Sequence, residues 1–98
     1  MQLIINQQEE TPISFDLYTR SLTDDGEHIL IVANTLEKAA SMNEILSFRD
    51  APIYNIQIIS ENGDLILELD GLNGLLKTFE ERLEGSGNYY GVTANIEL

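Results

Sequence analysis

Cysteine and tryptophan are absent from these 98 residues, and histidine occurs once, as His28. Without a thiol there is no disulfide, no thiolate metal site and no cysteine nucleophile, and the redox compartment is not encoded. Basic residues are scarce: 5 Lys and Arg stand against 17 Asp and Glu, a net charge of -12. That balance disfavours direct binding to nucleic acid, because so few cations cannot offset repulsion from phosphates. No apolar run approaches the ~20 residues that cross a bilayer. Met1 to Ile5 shows neither the basic segment nor the long apolar core of an export signal, so the expected location is the cytoplasm.

What is present belongs to a folded protein. The hydrophobic fraction of 43% is ordinary for a globular chain, so the acidity does not signal disorder. A single domain spanning 1–98 is expected, with no room for a second core.

Strand signals come first. Leu3, Ile4 and Ile5 form a short apolar run, ended by polar residues and Pro12. Ile13, Phe15 and Leu17 alternate with Ser14, Asp16 and Tyr18, the period of a half-buried strand. Asp24, Asp25 and Gly26 supply turn chemistry. Ile29 to Ala33 is apolar on both parities, as in a strand covered on both faces.

The pattern then changes to a helical one. Asn34 and Glu37 have the spacing of a capping box, and Leu36, Ala39, Ala40, Met42 and Leu46 share one face at 100° per residue. On that wheel Ile45 falls among the polar residues and is expected to be exposed. Pro52 ends the segment. Tyr54, Ile56 and Ile58 then alternate with Asn55 and Gln57, and Leu65, Leu67 and Leu69 with Ile66 and Glu68. Asn62-Gly63 between them predicts a hairpin with a type I′ turn.

Residues 72–84 read as a second helix, with Leu72, Leu75, Leu76, Phe79 and Leu83 on one stripe and Lys77, Glu80, Glu81 and Glu84 opposite, capped by Gly85. The alternative is a strand from Leu75 to Leu83 turning at Gly85 to Asn88, which gives a mostly β protein. Tyr89 to Leu98 alternates as a long terminal strand, where Gly91 suggests a bulge or a close approach. The expected fold is α+β in the order βββαββαβ: a mainly antiparallel sheet of about five to six strands with two helices packed on one face.

Catalytic chemistry has little to stand on. His28 sits beside a turn, with no Gly-x-Ser-x-Gly elbow in the chain to mark a nucleophile for it, and is expected at the surface of a strand start. Asp24, Asp25, Glu27 and His28 fall within five positions, but they lack EF-hand spacing and a second imidazole. The favoured reading is a solvated turn whose acids block edge pairing. Glu80 with Glu81, and Glu9 with Glu10, are neighbours on exposed faces, and general acid–base work needs a pair in unlike environments. No phosphate-cradling glycine motif is present. The expectation is a non-enzymatic protein with no cofactor and no metal.

The charge then points to a partner. Ordered carboxylates on a rigid domain imitate the phosphate spacing of a duplex and fit the basic groove of a nuclease or other DNA-binding protein. Glu68, Asp70, Glu80, Glu81 and Glu84 form one candidate cluster, and Asp24, Asp25 and Glu27 a second. Reversing Glu80, Glu81 and Glu84 to lysine is expected to weaken binding without unfolding. The competing expectation is a structural or assembly module that adds a strand to a neighbour's edge, with Ile45, Tyr18, Tyr54 or Tyr89 as contacts. The chain is expected to be a monomer or a homodimer.

In size, acidity, lack of cysteine, isoleucine content and its Asn-Gly hairpin, the chain resembles the small accessory proteins of phages and prophages. The resemblance lies in size and composition over the whole chain and includes no motif, so it carries over no functional residue. It implies either an inhibitor of a CRISPR or restriction nuclease or a virion or tail component.

Overall fold

A computed structural model describes residues 1–84 and 89–98, with the backbone alone for residues 83, 84, 89 and 90. The elements are β1 (Gln2–Ile5), β2 (Ile13–Ser14), β3 (Leu17–Thr23), β4 (Gly26–Ala33), α1 (Leu36–Met42) running into a 3-10 segment (Asn43–Phe48), β5 (Ile53–Ile59), β6 (Leu65–Glu84) and β7 (Tyr89–Glu97). Seven strands form one antiparallel sheet in the order β2-β1-β5-β6-β7-β4-β3. The mainly antiparallel α+β expectation is met, with seven strands in place of the expected five to six, because the second expected strand is split at Phe15 and Asp16. The second helix is not: residues 72–84 lie in β6, and its expected cap at Gly85 and the alternative turn at 85–88 fall outside the described residues.

The helix-like pattern of residues 72–84 has a physical cause. β6 is broken twice, at Gly71 with φ of 68° and at Lys77, where its register with β7 slips between Leu76 and Thr78. At the first break β6 takes four residue steps against two in β5, at the second it takes two against one in β7, and each flips the parity that follows. The residues packed into the core are therefore Leu67, Leu69, Leu72, Leu76 and Phe79. Past Gly71 their spacing is four and three, which is the spacing of a helix face.

A corner in the chain joins the two end strands of the sheet, which do not pair with each other. β2 and β3 are separated only by Phe15 and Asp16. Phe15 N–H donates to Met1 O (3.0 Å) and Asp16 N–H to Val32 O (2.8 Å), so adjacent residues bond to opposite ends of the strand order. The second corner is β6 itself, which pairs with β5 through Leu65 to Gly74 and with β7 from Leu75 onward. Chains that pass from one sheet half to the other make such corners. One core fills the concave side, with Phe15, Ile29, Ile31, Ile56, Ile58 and Ile96 fully buried.

α1 packs against β2, β4 and β7, and the 3-10 segment against β6. The N-cap is Thr35, not Asn34: Thr35 Oγ1 accepts from Lys38 N–H at 3.3 Å. Ile45 is 1% exposed and Leu36 71% exposed, the reverse of the helical-wheel expectation. Ala39, Met42, Ile45 and Phe48 are the buried positions. Their spacing of three is the 3-10 period, which turns Ile45 inward.

The β5–β6 turn also differs in detail. Gly63 is left-handed (φ 86°) and Asn62 is not, which rules out type I′. Gly63 N–H donates to Ser60 O (3.0 Å) and Ser60 N–H to Asp64 O (2.8 Å), as in a type I turn followed by a left-handed glycine. In β5, a register shift between Ile53 and Asn55 leaves Tyr54 exposed and Asn55 buried.

Asp16 ties the first corner to the helix. Its Oδ2 accepts from Asn34 N–H (2.5 Å) and its Oδ1 from Lys38 Nζ (3.1 Å). Burial pushes this carboxyl up, but those two donors outweigh it and hold it below the usual carboxylate range. Glu61, bonded to the N-terminal ammonium and 3.6 Å from Lys38, is also held low. Lys38 is raised by its bond to Asp16. The carboxylates' contribution to stability is complete above their unfolded values of about 4 and is lost as pH falls through the lower folded values. The lysine's contribution is complete below about 10.4 and is lost only as pH rises through its raised value. Asp16→Asn is expected to cost about 1–2 kcal/mol at pH 7 and to flatten the acid limb of a denaturation series below about pH 4. An unchanged acid limb would remove Asp16 from this role.

Candidate functional site: the outer face of the sheet

Side chains that point away from the core line the convex face. On β6, Glu68 and Asp70 stand exposed opposite Gln57 and Asn55 of β5. Gln57 Nε2 donates to Glu68 Oε2 (2.6 Å) and Asn55 Nδ2 to Asp70 Oδ1 (3.2 Å). These bonds fix two carboxylates on one rigid ladder. Glu80 continues the outer row opposite Thr93, while Glu81 lies opposite core residue Val92. The single cluster expected for Glu80, Glu81 and Glu84 is thus divided, because consecutive strand residues point to opposite faces. The Glu84 side chain lies outside the described residues.

The second acidic group is also split. Asp24 and Asp25 occupy the β3–β4 turn, and Thr23 Oγ1 accepts from Asp25 N–H (3.3 Å). Glu27 instead pairs with Arg20 on β3. Among the described residues, no cluster of three or more carboxylates and imidazoles has metal-binding geometry. The contacts expected for an assembly module fare unevenly. Ile45 is core, and Tyr18 packs edge-on against Phe15 with centroids 6.3 Å apart. Tyr54 is half exposed, and its hydroxyl donates to Asn6 O (3.4 Å). The Tyr89 side chain lies outside the described residues. β7 is flanked by β6 and β4 and offers no free edge, whereas β3 does. Gly91 is buried in regular register opposite Arg82, so the bulge expected there belongs to β6.

His28 departs furthest from expectation. It is 5% exposed within β4, not at the surface. The register puts it opposite Ser21 of β3 and Glu97 of β7, with Leu30 and Asn95 one pleat along on the same outer face. The bulge residue Lys77 reaches over β7, its Nζ 3.6 Å from both Asp25 Oδ2 and Glu97 Oε2. Beneath it lies an open groove of about 290 Å³, lined by Thr19, Ser21, Thr23, His28 and Asn95 among others. Two buried atoms here, His28 Nδ1 and Asn95 Oδ1, have no hydrogen-bond partner. Leaving such an atom unsatisfied costs about 1–3 kcal/mol. The sequence held one signal for this groove, the parity that puts His28 with Leu30 on the outer face. Nothing in it announced the bulge that swings Lys77 across.

Comparison with protein-family models, with curated proteins and with solved structures gives no match. Among the described residues, no helix is long and apolar enough to cross a membrane.

Proposed function

We propose that the protein is a non-catalytic binding module that engages a basic surface on another protein, of the kind that otherwise holds nucleic acid. The observation that carries this reading is the ordered outer row of β6. Glu68 and Asp70 are held by hydrogen bonds from β5, and none of Glu68, Asp70, Glu80 and Asp24 has an ion-pair partner among the described residues. Fixed, unpaired carboxylates attract arginine and lysine without first losing side-chain freedom. A phage-type inhibitor of a host nuclease or DNA-binding protein is the form this takes, acting by competition with nucleic acid. The cytoplasm is the corresponding location.

The test is a pull-down from bacterial lysate with wild type and with Glu68→Lys/Glu80→Lys, at low and high salt. The expected result is capture of a nucleic-acid-binding protein by wild type, lost at high salt and reduced at least about tenfold by the double reversal. Capture that ignores both salt and reversal would end this reading.

One observation favours an assembly module instead. β3 is an edge strand of 7 residues, paired with β4 on one side and with no strand on the other among the described residues, with Leu22 83% and Leu17 43% exposed. An extended segment of a virion or tail protein can pair with such an edge through backbone bonds. Salt-insensitive capture lost on Leu22→Pro, which removes an outward N–H and spares the bonds to β4, distinguishes this mode.

A further inference from the structure

The groove under Lys77 is unsatisfied in a specific way. The Nζ of Lys77 sets one positive charge against the two carboxylates of Asp25 and Glu97, but at 3.6 Å from each it lies beyond hydrogen-bond range. It also leaves His28 Nδ1 and Asn95 Oδ1 without a partner. With its ring proton on Nε2, His28 presents Nδ1 as an acceptor, as Asn95 Oδ1 is. The Asp25 carboxylate and these two buried atoms therefore belong to residues that line one groove, with Glu97 tied to it through Lys77, and the lining residues Thr19 and Ser21 add hydroxyls. The complement is a planar cation with several donors. An ammonium has three donors from one atom, whereas a guanidinium spreads five over a rigid fork.

We propose that this groove is a socket for one arginine side chain of the partner protein, with Lys77 holding its place in the free protein. The proposal deepens the reading above and rests on it. The incoming guanidinium takes over the charges of Asp25 and Glu97 and donates to Asn95 Oδ1 and His28 Nδ1. Lys77 swings back to solvent, where its stem already stands partly exposed. Unmet acceptors that persist in a free protein and are met by a ligand also confer selectivity, because a side chain lacking the donors leaves them unpaired.

The test is an NMR titration of the whole chain with three probes: N-acetyl-arginine amide, N-acetyl-lysine amide and a nine-residue arginine peptide. The arginine amide is expected to shift the Asn95 side-chain amide and the His28 ring signals saturably, and the lysine amide to bind about tenfold more weakly. Asn95→Leu is expected to weaken arginine binding at least about tenfold while its unfolding midpoint stays the same or rises, since an unpaired buried carbonyl has been replaced by an apolar group of similar shape. Lys77→Met, which keeps the aliphatic stem, is expected to strengthen arginine binding several-fold by removing the competitor. If the arginine peptide binds but neither His28 nor Asn95 responds, or if Asn95→Leu binds arginine as wild type does, the socket is wrong and the basic-partner reading stands. If the peptide fails to bind even at low salt, both fall.

Discussion

Replacing Leu76 with alanine is expected to lower the unfolding free energy by about 2–4 kcal/mol, whereas Leu75→Ala costs less than about 1 kcal/mol. The two leucines are neighbours in sequence and fall on the same stripe of a helical projection, so a helix would bury both. In β6 they point to opposite faces. Leu76 is 8% exposed and lies opposite Ile96, while Leu75 is 53% exposed. Removing Leu76 leaves a cavity between the β6–β7 ladder and the helix-bearing side of the core, and the lost contacts add to the lost transfer term. Removing Leu75 uncovers little that water does not already reach. Urea denaturation of both variants settles the matter, with the midpoint moving far for one and little for the other. Equal costs would contradict the strand and restore the helix.

A second large effect is expected at Gly74. A Cβ there would lie 3.0 Å from Glu97 O and 3.1 Å from Ile53 O. Both obstacles are backbone carbonyls, which cannot rotate away as a side chain can. Gly74 is where β6 leaves β5 for β7, so the ends of two ladders close on it together. Gly74→Ala is expected to cost about 1–3 kcal/mol through overpacking, and Gly74→Val to prevent the two halves of the sheet from closing. The readout is the cooperativity of thermal unfolding. Alanine should keep a single transition at lower temperature, and valine should lose it. A valine variant with the wild-type midpoint would mean that the corner is not closed in this way.

These two sites show why part of the fold was hidden. Alternation of apolar residues is a local signal, and where a strand runs unbroken it was readable. Val92, Ala94 and Ile96 in β7 face the core as their parity requires, whereas β4, apolar on both parities and expected to be covered on both faces, buries Ile29, Ile31 and Ala33 and leaves Leu30 and Val32 half-buried. Where a strand is bulged, the signal is overwritten. Gly71 and Lys77 shift the inward positions of β6 to helix-like spacing, and the register slip at Ile53 to Asn55 turns Tyr54 outward. The 3-10 continuation of α1 does the same in a helix, by burying Ile45.

The candidate site divides in the same manner. Its sign was set by composition, since a charge of -12 on 98 residues leaves most carboxylates without a cation wherever the chain puts them. Its shape was not. Glu80 and Glu81 were separated by strand pleating, Glu27 was taken by Arg20, and Asp25 was joined to Glu97 across two strands by Lys77. His28 looked like a turn-side surface residue because only its chain neighbours were visible. It lies opposite Ser21 across the β3–β4 hairpin and beside residues of β6 and β7 that come from a distant part of the chain. By itself the sequence determined an acidic, cysteine-free, mainly antiparallel α+β chain, because charge, residue chemistry and unbroken periodicity are local properties. Only the tertiary structure decided that β6 is a single bent strand and that a groove with two buried, unpartnered polar atoms opens beneath Lys77. Bulges, corners and cross-strand neighbours are fixed by how distant segments pair.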